Sequence, residues 1–129
     1  MKKSPRPNRV FDCARVVVVD GDTIHAALDL GFGVQVLETF RLDGIDAPEM
    51  NTAAGKASKA WLLAAATTAK RLTIVSRKLA SDKQLTDKYG RYVVTVWADG
   101  VDLCALSIAQ GMAVSWNGLG GHPLIQAGG

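Results

Sequence analysis

The chain has 129 residues and 48% hydrophobic content, enough for one domain around a single core and too apolar for a disordered protein. Its formal charge is +3 and its pI about 9.0, a balance that suits a polyanionic partner but is common in proteins that never meet one. No apolar run approaches the ~20 residues of a membrane-crossing helix, and no internal repeat is visible, so a helical membrane protein and a repeat array are excluded.

Met1 to Arg9 reads as a flexible basic arm. No apolar stretch of signal-peptide type follows it, so no signal peptide is expected in this sequence. If a leader had been removed the protein would be secreted; otherwise the cytoplasm is expected. Phe11 to Val19, rich in β-branched residues, is the first strand. Asp20-Gly21 turns into a second strand, about Thr23 to Leu30, and Gly31-Phe32-Gly33 turns into a third, Val34 to Leu42. The third alternates, so Val34, Val36, Phe40 and Leu42 share one face and Arg41 points from the other. Three strands joined by short turns predict an antiparallel meander.

Gly44 lets the backbone turn, and Pro48 fixes the exit and holds Ala47 extended. Arg41 and two carboxylates, Asp46 and Glu49, are thereby held at a strand end followed by a stiff loop, a place where catalytic groups are usually mounted. Asn51 or Thr52 can cap a helix from about Ala53 to Arg71, which the Ala-rich composition supports. Ala53, Ala57, Ala60, Trp61, Ala64 and Thr68 trace one helical stripe, with Trp61 as its core anchor. Leu72 to Val75 is the fourth strand, Ala80 to Asp87 a polar connection, and Tyr92 to Trp97 the fifth strand. Asp102 can cap a short helix, Leu103 to Gln110, that Gly111 stops. Ser115 to Gly129 is Gly-rich and reads as irregular. These elements predict a mainly β, α+β chain. The arm is residues 1–9, one five-stranded OB-fold barrel with two helices spans 10–118, and 119–129 form a tail.

All fifteen Lys and Arg lie at or before Arg91. Residues 1–91 carry +5, and residues 92–129, with only Asp99 and Asp102 charged, carry −2. The basic side suits a polyanion. Cys13 and Cys104 match no metal spacing and read as buried free thiols, with a single bridge between them left open. His25, in a strand, and His122, in the tail, have no ligand-spaced partner and read as structural or exposed.

Three short motifs follow one another along the chain: DGDT at 20–23, FRL…DAPE at 40–49 and DKYGR at 87–91. Each is weak alone, but the ordered set is specific. By it the chain resembles the staphylococcal nuclease (thermonuclease) family, from Arg15 to about Gly111. The resemblance implies the same barrel and a Ca²⁺-dependent endonuclease acting on DNA and RNA that leaves 3′-phosphate ends. A monomer with no membrane partner is expected, and, without a base-reading motif, little sequence preference beyond unpaired or easily opened strands. Asp22 and Asp46 match the family's Ca²⁺ ligands and are hard oxygen donors suited to that ion. The Ala47 carbonyl would be a further ligand, where the family often has Thr. Glu49 matches the residue that positions or activates the attacking water. Arg41 and Arg91 match the pair on the scissile phosphate, which Arg grips bidentately and Lys cannot. Lys88 and Tyr89 resemble positions that contact a nucleotide phosphate and base, and Tyr89 could stack on a base. Asp20 and Asp43 are read as outlying or solvated carboxylates, and Trp116 as a packing residue. An EF-hand beginning at Asp20 fails, because its sixth position is His25 and its twelfth Gly31.

Two departures stand out. The segment between Glu49 and the first helix is short, and the family's last helix has no counterpart after Gly118. The alternative function is a non-catalytic OB-fold nucleic-acid-binding module. Such a module should lack Asp22, Asp46, Glu49 or one arginine, and this chain has all five.

Overall fold

Val18, Ile24 and Phe40 lie opposite one another across three neighbouring strands and are each at least 95% buried. They belong to β1 (Arg9–Asp20), β2 (Thr23–Gly31) and β3 (Val34–Leu42), the predicted antiparallel meander. The structure, a computed structural model, describes residues 9–76 and 91–116. After β3 come a two-residue strand β4 (Ile45–Asp46), helix α1 (Ala53–Thr68) and strands β5 (Leu72–Ser76), β6 (Tyr92–Ala98) and β7 (Val101–Asp102). Helix α2 (Leu103–Ala109) and a short β8 (Val114–Ser115) complete the fold.

Five strands close into a barrel in the order β3-β2-β1-β5-β6, with β6 returning to pair in parallel with the end of β3. β1 serves two partners, β5 through Arg9–Asp12 and β2 beyond. A register shift between Cys13 and Arg15 lets one long strand bend between them. Ile24, Leu42, Ile45, Leu62, Ile74, Val94, Val96 and Leu103 fill the interior. The five-stranded OB barrel with two helices is therefore present as expected. The β4–β8 ladder, Ile45 opposite Ser115 and Asp46 opposite Val114, was not read from the sequence, which marked Ser115 onward as irregular.

Three expectations need correction. Val34 is half-exposed at 51%, because it lies at the open end of the β2–β3 hairpin, where among the described residues β3 pairs only with β2; Val36, two residues on, already packs against the core. Phe32, at the tip of this hairpin, is fully exposed. The helical stripe is also rotated. α1 buries Gly55, Ser58, Leu62 and Ala66, while Ala53, Ala57, Ala60, Ala64 and Thr68 face solvent. Leu62, not Trp61, is the anchor; Trp61 packs half-buried at the margin. An Ala-rich helix has little polarity contrast around its circumference, so periodicity could not choose the face. Finally, α1 ends at Thr68 rather than Arg71. The Asp99 carboxylate accepts the backbone N–H groups of Lys70 (3.0 Å) and Arg71 (2.8 Å), which pulls the chain out of the helix; these bonds hold the Asp99 pKa below its usual value.

The caps are otherwise as read. Thr52 accepts the Gly55 N–H and Asp102 those of Cys104 and Ala105, and Gly111 follows α2 with φ of 74°. Both cysteines are free. Burial pushes the Cys104 thiol up to about 12 and also raises that of Cys13. No helix among the described residues is long and apolar enough to cross a membrane. Arg9, read as the end of the basic arm, already belongs to β1 and pairs with Ser76. Residues 1–8 of the arm, the 80–87 connection, His122, the Gly-rich tail and the missing last helix fall outside the described residues.

Two outcomes are expected. Leu62→Ala should cost about 2–5 kcal/mol in urea unfolding, while Ala57→Ser on the exposed face should stay within about 0.5 kcal/mol. Cys104 should resist alkylation in the folded protein at pH 8, where its thiol is protonated, and react once the protein is unfolded.

Candidate active site

Four separate pieces of chain meet at one end of the barrel. The β1–β2 turn brings Asp20 and Asp22, the end of β3 brings Arg41, and β4 brings Asp46. The loop after β4 brings Ala47 and Glu49, and the residue before β6 is Arg91. Together they line a cavity of about 300 Å³. Gly44, with φ of 78°, makes the turn between Arg41 and Asp46 possible.

The turn and the loop are stitched together through Asp22. Its Oδ2 accepts the Ala47 N–H (2.9 Å) and its Oδ1 accepts the Thr23 hydroxyl (3.1 Å). Its own N–H donates to Asp20 Oδ1 (2.9 Å), and its carbonyl accepts the Leu42 N–H (2.8 Å). Asp22 and Asp46 are 9% and 3% exposed. Between them lies the equally buried Arg41, 3.5 Å from Asp22 Oδ2 and 4.0 Å from Asp46 Oδ1. Arg41 also donates to the carbonyls of Asp22 (3.3 Å), Leu42 (3.1 Å) and Ile45 (2.8 Å). Trp116 covers it, with the guanidinium carbon 5.3 Å from the ring centre, a cation–π arrangement. Trp116 is held there by its N–H bond to the Gly44 carbonyl (2.9 Å). Glu49 is exposed at the cavity rim.

Burial, and then the neighbouring Asp22, raise the Asp20 carboxyl to about 6. This is the response expected where carboxylates crowd together. Four carboxylates and two guanidiniums line the cavity, an excess of two negative charges that a divalent cation would balance. Among the described residues no three acidic, His or Cys side chains converge to hold a metal by themselves. A cation here would therefore take carbonyl and water oxygens as well, in an irregular arrangement that Ca²⁺ tolerates better than Mg²⁺, which demands a near-ideal octahedron. Asp22, Asp46 and the Ala47 carbonyl fit that requirement as a sparse oxygen site.

The site residues read from the sequence that can be described, Asp22, Arg41, Asp46, Ala47, Glu49 and Arg91, all line the one cavity. Lys88 and Tyr89 lie outside the described residues. Two residues were underrated. Asp20 lines the cavity and braces the Asp22 backbone, a role its place in DGDT could have suggested. Trp116 does more than pack, since it covers Arg41; nothing in its Gly-rich surroundings signalled the β4–β8 ladder that carries it there.

Fold and cavity together define an OB-type barrel with an acid–arginine cleft at its strand ends. The family model for staphylococcal nuclease homologues matches residues 39–120, more than half of the chain, and the chain belongs to that family. It is thus a member of a nuclease and nucleic-acid-binding family. A search of curated proteins found no match.

Replacing Arg41 by an uncharged, shorter side chain, as in Arg41→Met, should destabilise the metal-free protein by about 3–5 kcal/mol, because buried Asp22 and Asp46 lose the cation between them. Urea unfolding in EDTA measures this.

Proposed function

We propose that the protein is a Ca²⁺-dependent endonuclease that hydrolyses phosphodiester bonds in DNA and RNA and leaves 3′-phosphate ends. One observation carries the reading. Asp22, Asp46, Glu49, Arg41 and Arg91, drawn from four segments, line the same cavity, and a barrel that only bound nucleic acid would need no such set. Arg41 and Arg91 bind the non-bridging oxygens of the phosphate. The carbonyl contacts of Arg41 hold its guanidinium plane in advance of substrate, so little reorganisation accompanies the growth of charge on the phosphate. Glu49, at the rim, accepts a hydrogen bond from the attacking water and orients it. Asp22, Asp46 and the Ala47 carbonyl would hold Ca²⁺, which when bound supplies positive charge against the phosphate. The sequence carries no base-reading motif. Little sequence preference is therefore expected beyond strands that are unpaired or open easily.

Cleavage of plasmid and of single-stranded oligonucleotides in Ca²⁺, Mg²⁺ or EDTA tests the reading. Activity in Ca²⁺ that is weaker in Mg²⁺ and abolished by EDTA and by Glu49→Gln is expected. Tight binding of uncut strands with no cleavage in any metal would instead favour the non-catalytic binding module.

Two further outcomes follow. Ca²⁺ at 100 times its Kd should stabilise the protein by about 2.7 kcal/mol, seen as a rise in Tm that Asp46→Asn removes. Arg91→Lys keeps the charge but loses the planar fork. Turnover at saturating substrate should fall by about 10²–10³, with a much smaller loss of binding to uncut DNA in a Glu49→Gln background.

A further inference from the structure

Only Met50, Asn51 and Thr52 separate Glu49 from α1, and this link is tied at both ends. The Thr52 hydroxyl donates to the Glu49 carbonyl (2.6 Å) and accepts the Gly55 N–H (3.0 Å). The Thr52 N–H donates to the same carbonyl (3.1 Å). Gly55 is buried, and a Cβ there would overlap the Glu49 carbonyl group, backbone that cannot step aside as a flexible side chain could. Its glycine therefore serves close approach. One turn further along, Ser58 is 1% exposed and sits where a Cβ on Gly21 would overlap its hydroxyl and come within 2.7 Å of Ala47 Cβ. The first two turns of α1 thus pack on both acid-bearing segments, the Asp20–Asp22 turn and the Ala47–Glu49 loop.

We infer that Thr52 and Gly55 are positioning residues for Glu49, the first turn of α1 acting as the rigid mount that sets how far the Glu49 carboxylate reaches into the cavity. The inference rests on the nuclease reading above. A carboxylate that orients water must be held closely, since misplacement by about 1 Å can cost 10²-fold in rate. A long loop would leave Glu49 free to wander. Here the carbonyl of Glu49 itself is held by two donors from the helix cap, so movement of the residue requires the cap to open.

The competing view is that Thr52 only caps the helix. Thr52→Asp separates the two. Aspartate caps as well as threonine, by accepting the Gly55 N–H, but when ionised it has no proton to donate to the Glu49 carbonyl. Thr52→Ser keeps both bonds. At pH 7.5 in saturating Ca²⁺ and DNA, Thr52→Ser should retain kcat within about twofold, while Thr52→Asp should lose about tenfold or more in kcat with KM nearly unchanged. Both should melt within a few degrees of the parent protein. Gly55→Ala should lower kcat in the same way, and Thr52→Asp keeps the test open if that variant does not fold.

A second measurement does not depend on activity. The chain has only two glutamates, Glu38 and Glu49. Labelling glutamate carbonyl carbons with ¹³C therefore yields two backbone resonances, assigned by the loss of one in Glu49→Gln. Thr52→Asp should move the Glu49 resonance and leave that of Glu38 in place. An unmoved Glu49 resonance, or a kcat equal to that of Thr52→Ser, would overturn the mount. A parent protein that cleaves nothing would remove the nuclease reading, and the carbonyl resonance would then decide the mount alone.

Discussion

A guanidinium that is 6% exposed has to be compensated on every side, and around Arg41 that requirement shapes the end of the barrel. Three carbonyls, two carboxylates and an indole face meet it, from the β1–β2 turn, the end of β3, β4 and the residue after β8. Asp22 and Asp46, which would repel each other if left alone, stay buried side by side because this cation lies between them. The barrel closure puts the cation there. Arg41 pairs with Val93 in the parallel β3–β6 ladder, one step from the buried Leu42–Val94 pair, so the register that fills the core also aims the arginine.

The aspartates divide between support and chemistry. Asp102 caps α2, Asp99 ends α1 by taking two backbone N–H groups, and Asp20 braces the turn ahead of Asp22. Each satisfies backbone donors that would otherwise have no partner at a turn or helix end. Asp22 does both, since its carboxylate holds the Ala47 N–H and also lines the cavity. A change at that residue would therefore disturb the loop carrying Glu49 as well as the proposed cation site.

Small residues do comparable work where backbones meet. Gly21, Ala47, Gly55 and Ser58 form the contact between α1 and the two acid-bearing segments. The long side chains of the helix could not be accommodated there, and the helix instead anchors itself lower down through Leu62 and Ala66. The short link between Glu49 and α1 makes helix and site one rigid unit.

The sequence by itself determined the five barrel strands, both helices and their caps, because alternation, β-branching and capping chemistry act over a few neighbouring residues. It also singled out Asp22, Arg41, Asp46, Glu49 and Arg91, through ordered motifs whose residue types suit phosphate chemistry. Only the tertiary structure decided which face of α1 is buried, since an alanine-rich surface carries no preference until a close-packed neighbour selects Gly55 and Ser58. It alone paired β4 with β8 and laid Trp116 over Arg41, contacts between segments about seventy residues apart that leave no local pattern. And it alone showed Val34 standing outside the core, because alternation says which residues share a face but not where along a hairpin the barrel ends.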